Sequence, residues 1–484
     1  MYPLSKSKLM SSLQCAKRLY LEVHQPELSS VSGDLEARFA SGHRVGEVAQ
    51  SLYPEGRLIG YGDDPSLALQ ETQAALAVDG DLLLFEPAFR HGGVLVRADL
   101  LFRRGDRYRL VEVKATTSVK AHHLQDAAIQ AWVIDGSGCP VDAVSIAHID
   151  NTFVYPGGED YRGLFKSLDV TEQVAELRTQ APGFALRCQQ VLAGPVPEIP
   201  VGKQCHDPYD CPFLAYCDRD APEYPLSILG TNWRLKKRLV LQGYSDLREV
   251  PEDAIGDGRP RRLWDATLTG LASLDSRAAI FLADLGYPRY YLAFETIQFA
   301  VPIWTGTHPY EQLPFQWSCS VEQQDGTVMH REFLDISGGA PMRPCAEALI
   351  TALGTEGPVF AYTGFEGRVL RETAARYADL APSLNAIARR IIDLHSIARA
   401  HYYHPAQKGS WSLKAVLPTI APELDYGNLT DVADGGGAQL AYLEIIAAET
   451  SAARKDELTR ALHVYCRRDT EGMVRIARFF VSAS

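Results

Sequence analysis

The sequence predicts an α/β protein, built as two successive α/β units with a small helical connector between them. Alternating apolar runs on either side of Arg104-Gly105-Asp106, followed by a helical pattern, mark the first unit. A new strand pattern, Tyr290-Tyr291-Leu292-Ala293-Phe294-Glu295-Thr296, opens the second. Between them lie Pro222, Pro225, the basic stretch Trp233-Arg234-Leu235-Lys236-Lys237-Arg238, another from Gly256 to Arg262, and an amphipathic run from Leu263 to Leu285. The expected boundaries are 1–220, 221–285 and 286–484. A chain of 484 residues, 46% hydrophobic and 22% charged, can bury a core in each unit.

The chemistry of the first unit centres on its hairpin. Val96 to Phe102 and Arg107 to Lys114 read as its two strands. Side chains alternate faces, so Glu112 and Lys114 share a face with Leu110 while Val111 and Val113 take the other. Asp99 and Glu112, on adjacent strands, form a carboxylate pair suited to a hard divalent cation. Lys114 beside them can orient a water or steady negative charge on a phosphate. An acid-x-Lys on a strand is by itself more often a solvated face, and the cysteines change that balance.

The nine cysteines do not form a disulfide pattern. No signal peptide and no bilayer-length apolar run is visible, so a cytoplasmic protein with reduced thiols is expected. Cys139, Cys188, Cys319, Cys345 and Cys466 are scattered and read as small buried hydrophobes. Cys205, Cys211 and Cys217 recur at equal spacing, and Cys15 stands far upstream on an expected early helix. Zinc sites usually come as two short cysteine knuckles. A second knuckle is missing here, so a [4Fe–4S] cluster clamping the two ends of one domain is the better account. Such a cluster is expected to be structural, because it removes freedom from the intervening chain; a redox role stays open.

Together these residues resemble the iron–sulfur RecB-type nucleases of the PD-(D/E)XK group, which include CRISPR-adaptation exonucleases and the nuclease domain of AddB-type helicase–nucleases. The resemblance spans about residues 1–220. It rests on Cys15, on Gly42-His43 in the apolar-periodic stretch from Leu35 to Leu52, and on Asp99 with Glu112-Val113-Lys114. The helix from His123 to Ile134 containing Gln130, and the cysteine triplet, complete it. It implies a restriction-endonuclease-like α/β fold, with His43, Asp99 and Glu112 holding one or two Mg²⁺ or Mn²⁺ ions. It also implies catalytic roles for Lys114 and Gln130, and a cluster on Cys15, Cys205, Cys211 and Cys217. The family's tyrosine four residues after the glutamine is Ile134 here, and Gln125 is a rival for the role of Gln130. Glu86 is either a further acid near the metal or a strand-end charge.

In the second unit, strand alternation places residues 293 and 295 on one face. Ala361 to Glu366 reads as a strand-to-helix carboxylate, and Tyr465 and Asp469 stand at i, i+4 on a helix. The order resembles RNase H-like 3′→5′ exonucleases of the DEDD type, and more closely a poorly characterised bacterial family that fuses this domain to the iron–sulfur nuclease. The shared hallmarks are Gly306-Thr307-His308-Pro309-Tyr310, Pro314-Phe315-Gln316, Asp393-Leu394-His395, Tyr403-His404-Pro405 and Gly409 to Lys414. The resemblance spans about residues 286–480. It implies two metal ions on Glu295, Glu366 and Asp469, with Tyr465 also catalytic.

Ala293 stands where that family has an aspartate bridging both metals, and Glu366 replaces the usual middle aspartate. Loss of a bridging carboxylate strips most two-metal chemistry. Ala293 therefore marks either a natural pseudo-exonuclease that binds ends without cutting, or a variant made to trap substrate. The intact Phe294-Glu295-Thr296 and Tyr465-x₃-Asp469 favour the second.

A net charge of −12 argues against a protein that coats nucleic acid by charge alone. It does not argue against a metal nuclease with a local basic groove. Arg103, Arg104, Arg107 and Arg109 are candidates for that groove; the connector's basic residues each read as a solvated helix face, and together they are a second candidate backbone-contact surface. Gly435-Gly436-Gly437 is a loop or helix-entry signal. No nucleotide-binding P-loop is found, so a helicase or defence-system motor would be a partner. The expectation is a metal-dependent DNA nuclease working at its N-terminal site on single-stranded or duplex ends. The alternatives are a non-catalytic end-binding or assembly subunit, and RNA as the substrate of the C-terminal half.

Overall fold

A computed structural model describes residues 2–482 apart from 31–32, 61–63, 430–431 and 433. The chain is mixed α/β and divides into two units, Met1–Asp220 with Phe299–Glu311, and Ala221–Gln298 with Gln312–Ser484.

The first unit contains β1 (Leu4–Ser5), β2 (Arg57–Leu58), β3 (Leu82–Phe85), β4 (Ala88–His91), β5 (Val94–Arg97), β6 (Leu100–Arg104), β7 (Arg107–Lys114), β8 (Val141–Ile149) and β9 (Phe165–Asp169). Its helices are α1 (Lys6–Gln14), α2 (Ala16–His24), α3 (Gly33–Ser51), α4 (Pro65–Leu76), α5 (Ala121–Gly136), α6 (Thr171–Ala193) and the single turn α7 (Leu214–Cys217). The stretch beginning at Leu35 forms α3, the side chains of residues 33–39 lying outside the described residues. The main sheet has the order β2-β3-β6-β7-β8-β9. β3, β6 and β7 run antiparallel, and β8 lies parallel to β7. A parallel neighbour requires a crossover, and α5 provides it.

The run from Val96 to Phe102 is not one strand. It breaks at Ala98-Asp99, so β5 joins a small β1-β5-β4 sheet and β6 joins the main one. Backbone bonds from Ala98 N to Pro87 O and from Glu86 N to Asp99 O hold the switch point. Beyond it the hairpin pairs Leu100 with Val111 through to Arg104 with Arg107. Gly105 closes the turn at φ +58°, a conformation glycine adopts without steric cost.

One face of the main sheet, with Leu110, Val144 and Ile146, packs on Ala127, Ala131 and Ile134 of α5 and on Val174 and Ala181 of α6. The opposite face carries Leu83, Phe85, Leu100, Val111 and Ala147. Each large apolar side chain so buried contributes about 1.5–3 kcal/mol relative to exposure. A one-residue slip would invert both faces, so the register is strongly specified. Glu112 and Lys114 inherit it and point with Leu110 towards α5.

The second unit adds β10 (Ser273–Leu274), β11 (Arg289–Ile297), β12 (Leu313–Glu322), β13 (Val328–Leu334), β14 (Val359–Ala361), β15 (Ile391–Asp393) and β16 (Tyr402–Tyr403). Its helices are α8 (Trp233–Leu241), α9 (Glu252–Ile255), α10 (Arg259–Thr269), α11 (Arg277–Ala283), α12 (Met342–Leu353), α13 (Phe365–Arg376), α14 (Ala381–Arg389), α15 (Leu394–His401), α16 (Leu413–Val416), α17 (Gly435–Ile446) and α18 (Ala452–Ser482). The sheet order is β13-β12-β11-β14-β15, antiparallel from β13 to β11 and parallel from β11 to β15. Tyr290, Leu292, Phe294, Trp317 and Cys319 face α12, α13 and α14. On the other face Gln316 donates to Leu462 O at 2.9 Å, and Ser318 lies 3.1 Å from Thr470, both on α18. Gly435-Gly436-Gly437 enters α17, capped by Asp434, which accepts from Gly437 N at 2.7 Å.

The connector is not purely helical. The run from Leu263 to Leu285 breaks where Gly270 caps α10 at φ 69°, and β10 then pairs with β16. The loop between β11 and β12 belongs to the first unit. There Ala300 and Val301 are buried with Val45, Val48, Ile149, Tyr155 and Tyr161. Gly306 N donates to Tyr155 O at 2.8 Å and Tyr155 N to Thr307 O at 3.0 Å. The Gly306–Tyr310 hallmark, expected in the second unit, is thus part of the first unit's core. Among the described residues, no helix is long and apolar enough to cross a membrane.

Candidate active site

Glu112, on β7, has no solvent exposure. Its Oε1 accepts from Lys114 Nζ at 2.6 Å and from Lys6 Nζ at 3.0 Å; its Oε2 accepts from Gln130 Nε2 at 2.6 Å. Asp126 joins the array, 2.5 Å from Lys114 Nζ, 3.4 Å from Lys6 Nζ and 3.0 Å from Gln130 Nε2. A buried charge is tolerated only when paired and hydrogen-bonded, and these groups meet that need for one another. Burial by itself would raise Asp126, but Lys114 and Lys6 outweigh it and hold its carboxyl well below the usual range. Burial by itself would lower Lys114, but Asp126 and Glu112 keep it charged, well above its usual value.

Asp99 sits in the bend before β6, with its Oδ2 accepting from Val113 N at 2.6 Å. Burial and the neighbouring Glu112 push its carboxyl up to about 8, against the pull of Lys6 and Lys114. Asp99 lines an open cleft with Gly42, His43, Glu47 and Glu86. His43 is exposed there, presented by α3, whose Val45 and Val48 anchor the opposite side of the helix. Glu86 adopts φ 55° and pairs with Arg97 at 3.4 Å. The fold thus brings Asp99, Glu112, Lys114 and Gln130 together, and sets His43 and Glu86 on the same cleft as Asp99. It is Gln130 that bonds Glu112.

Two members of the array were missed from sequence. Asp126 lies four residues before Gln130, on one face of α5, and that spacing was available as a signal. Lys6 had none: it opens α1 directly after β1, and only the pairing of β1 with β5 brings it to Glu112.

Cys15, Cys205, Cys211 and Cys217 line one small enclosed cavity with Leu21, Ile199 and Phe213. Cys15 is not within a helix but at the junction of α1 and α2, in extended conformation at φ −162°. Gln14 beside it ties the two chain segments by donating to Gln204 O at 2.7 Å and Tyr209 O at 2.6 Å. Burial pushes the Cys211 and Cys217 thiols up.

In the second unit, Glu295 of β11, Glu366 of the first turn of α13 and Asp469 of α18 converge. Burial, then Asp469 and Glu366, push Glu295 well above the usual carboxylate range. Burial, with Asp469 and Asp393 adding to it, takes Glu366 to about 8. Burial takes Asp469 to about 6 against the opposing pull of Tyr426 and Lys414. Tyr426 Oη donates to Asp469 Oδ1. Lys414 Nζ lies 5.2 Å from the Tyr426 ring centroid and 5.5 Å from that of Tyr465. Tyr426 and the site contact of Lys414 were not foreseen. Asp393 caps α15 through Ser396 N at 3.1 Å and also accepts from Thr363 N at 3.2 Å. Ala293 is buried on β11, and its carbonyl accepts from Cys466 Sγ at 3.8 Å.

Two residues proposed for phosphate contact have other work. Arg103 is buried, and its guanidinium donates to Leu76 O at 2.7 Å, Gly80 O at 3.0 Å and Val78 O, binding the C-terminus of α4 and the turn that follows it. Arg262 donates to Arg399 O at 2.6 Å and to Ala400 O. Arg104, Arg107, Arg234 and Lys237 are exposed. Among the described residues, no three His, Cys, Asp or Glu side chains are arranged as ligands of a single metal ion.

A family model described as a domain of unknown function, DUF2779, matches residues 290–412. The matched span includes Glu295, Glu366 and the 299–311 segment, and stops short of Lys414, Tyr465 and Asp469. No curated protein matches the chain.

Proposed function

We propose that this chain is a metal-dependent nuclease whose working site is the Asp99–Glu112–Lys114–Gln130 array of the first unit. One observation carries the reading: Glu112, Lys114 and Gln130, three of the residues named as a nuclease set from the sequence, are joined by hydrogen bonds, and the fourth, Asp99, is tied to the same strand through Val113 N and lines an open cleft with His43. The β3-β6-β7-α5-β8 succession, antiparallel and then parallel across a helical crossover, supports the restriction-endonuclease-like expectation. The second unit's strand order, three antiparallel then two parallel, likewise supports the RNase H-like one.

The donor set fits a hard cation: carboxylate oxygens with one imidazole. Asp99 is raised first by burial and then by Glu112, and added positive charge would favour its ionised form. His43, Asp99 and Glu112 would hold Mg²⁺ or Mn²⁺. A bound divalent cation supplies a reactive water at neutral pH and Lewis-acid polarisation of a phosphate. Lys114 keeps its proton and offers fixed positive charge to a phosphate oxygen. Gln130 and Asp126 fix the carboxylate and the ammonium in register, and β7 fixes both to Asp99 through Val113.

The four thiols fit an iron–sulfur cluster better than zinc. A four-iron cluster takes one thiolate per iron, so its sulfurs stand apart around a shared volume instead of meeting at one ion. Four cysteines lining one cavity, together with apolar side chains and the cations Lys17 and Arg18, suit that arrangement.

For the second unit, Ala293 favours grip without cleavage: Glu295, Glu366 and Asp469 converge, but the strand position beside Glu295 carries no acid. DNA ends are the proposed substrate, with RNA an alternative for this unit.

The test is direct. Purified protein with Mg²⁺ or Mn²⁺ is given labelled single- and double-stranded DNA and RNA, alongside Lys114→Ala and Glu112→Ala. Cleavage lost in both variants supports the reading, and cleavage that persists in both overturns it. Brown protein with iron and sulfide in equal amounts supports the cluster, whereas colourless protein with stoichiometric zinc removes it.

A further inference from the structure

Glu112 is engaged on both oxygens by the protein itself, and the donors are not equivalent. Lys114 lies 2.6 Å from Glu112 and 2.5 Å from Asp126, a close double pairing. Lys6 reaches the same two carboxylates at 3.0 and 3.4 Å, and its side chain is the more exposed of the two, 24% against 18%. Lys114 therefore spans both carboxylates at short range, and Lys6 is the looser of the two cations on Glu112 Oε1.

We propose that Lys6 is a positioning residue of this site that serves as a resident counter-cation: it neutralises Glu112 and must withdraw for a divalent ion to engage that carboxylate, so it sets the site's affinity for the ion. The proposal rests on the reading of Glu112 as a metal ligand. A divalent ion needs a carboxylate lone pair at about 2.0–2.1 Å for Mg²⁺, and an ammonium hydrogen-bonded to the same oxygen competes for it. Lys6 can withdraw, since its charge rides on a flexible four-carbon stem at the first turn of α1. Gln130 is wholly buried on α5, and Lys114 is held more closely to both carboxylates, at 2.6 and 2.5 Å.

The consequence is a sign that a purely structural lysine would not produce. Calorimetric titration of the full-length protein with MnCl₂ compares the parent with Lys6→Met, Lys6→Arg and Glu112→Gln. The Met variant is expected to bind Mn²⁺ about tenfold or more tighter, because a unit charge near the ion is removed, and the Arg variant to stay near the parent. Lys6→Gln, which keeps a neutral donor for Glu112, should fall between parent and Met and covers the case in which Lys6→Met fails to fold. If the parent has a Mn²⁺ site that Glu112→Gln abolishes, yet Lys6→Met or Lys6→Gln binds no tighter, the proposal is overturned and the nuclease reading stands. If no Mn²⁺ site depends on Glu112, both fall together.

Discussion

Gln130 spans two carboxylates: its Nε2 lies 2.6 Å from Glu112 Oε2 and 3.0 Å from Asp126 Oδ1, all three groups buried. Its own Oε1 has no hydrogen-bond partner among the described residues. The amide therefore serves the acids, and Gln130→Leu leaves the buried Glu112 short of a donor. The expected cost is about 1–3 kcal/mol of stability, read from urea denaturation, together with loss of cleavage. Unchanged stability and cleavage would show that the contact is incidental.

The hairpin arginines should separate by burial. Arg103→Met removes donors from three carbonyls at the end of α4 and should destabilise by roughly 1.5–3 kcal/mol. Arg104→Ala and Arg107→Ala, on exposed residues, should leave the melting temperature nearly unchanged. If either contacts a phosphate, its loss weakens DNA binding and reduces the salt slope by about one. Fluorescence anisotropy across a salt series measures this.

Residues 299–311 behave as core of the first unit, so a charge placed there should be felt at its site. Val301→Asp buries a carboxylate among Val45, Val48 and Tyr161 and should cost several kcal/mol. Limited proteolysis should then cut within residues 1–220 sooner than in the parent. Equal protection would mean that the segment is dispensable.

The carboxylates of the second unit predict a pH dependence. Glu366 at about 8 and Asp469 at about 6 lie above their unfolded values near 4. Between those limits the folded state holds more protons than the unfolded one, so stability falls as pH rises. In EDTA, urea midpoints should decline from pH 5 to pH 8, and Asp469→Asn should flatten that decline by about 1 kcal/mol or more. A steeper decline in the variant would contradict the assignment.

Ala293→Asp adds a fourth acid on the Glu295 side of β11. Without metal it should lower the melting temperature through like-charge repulsion, and Mn²⁺ should restore it. If 3′→5′ degradation then appears with the first site disabled by Lys114→Ala, alanine at 293 is a lesion in a working site. No gain would support a binding-only unit.

The hairpin, the α5 helix and the β11 strand were readable because a period of two or of 3.6 states which residues share a face. Glu112 with Lys114 follows from that rule, whereas Gln130 was singled out by the family resemblance. The break at Ala98-Asp99 was not readable, since both halves carry the same apolar alternation and only the partners differ. Arg103 read as a surface charge because nothing local announces three open carbonyls at the end of α4.

The sequence by itself determined the α/β character, the positions of the carboxylates, lysine and cysteines, and the alanine at 293, because residue type and spacing are local properties. The tertiary structure decided that Lys6 and Asp126 complete the Glu112 array, that Lys414 and Tyr426 face the second acid cluster, and that the β11–β12 loop belongs to the first unit. Those facts depend on chain segments far apart in sequence meeting to satisfy buried charge and cover apolar surface, and no local pattern records which segments will meet.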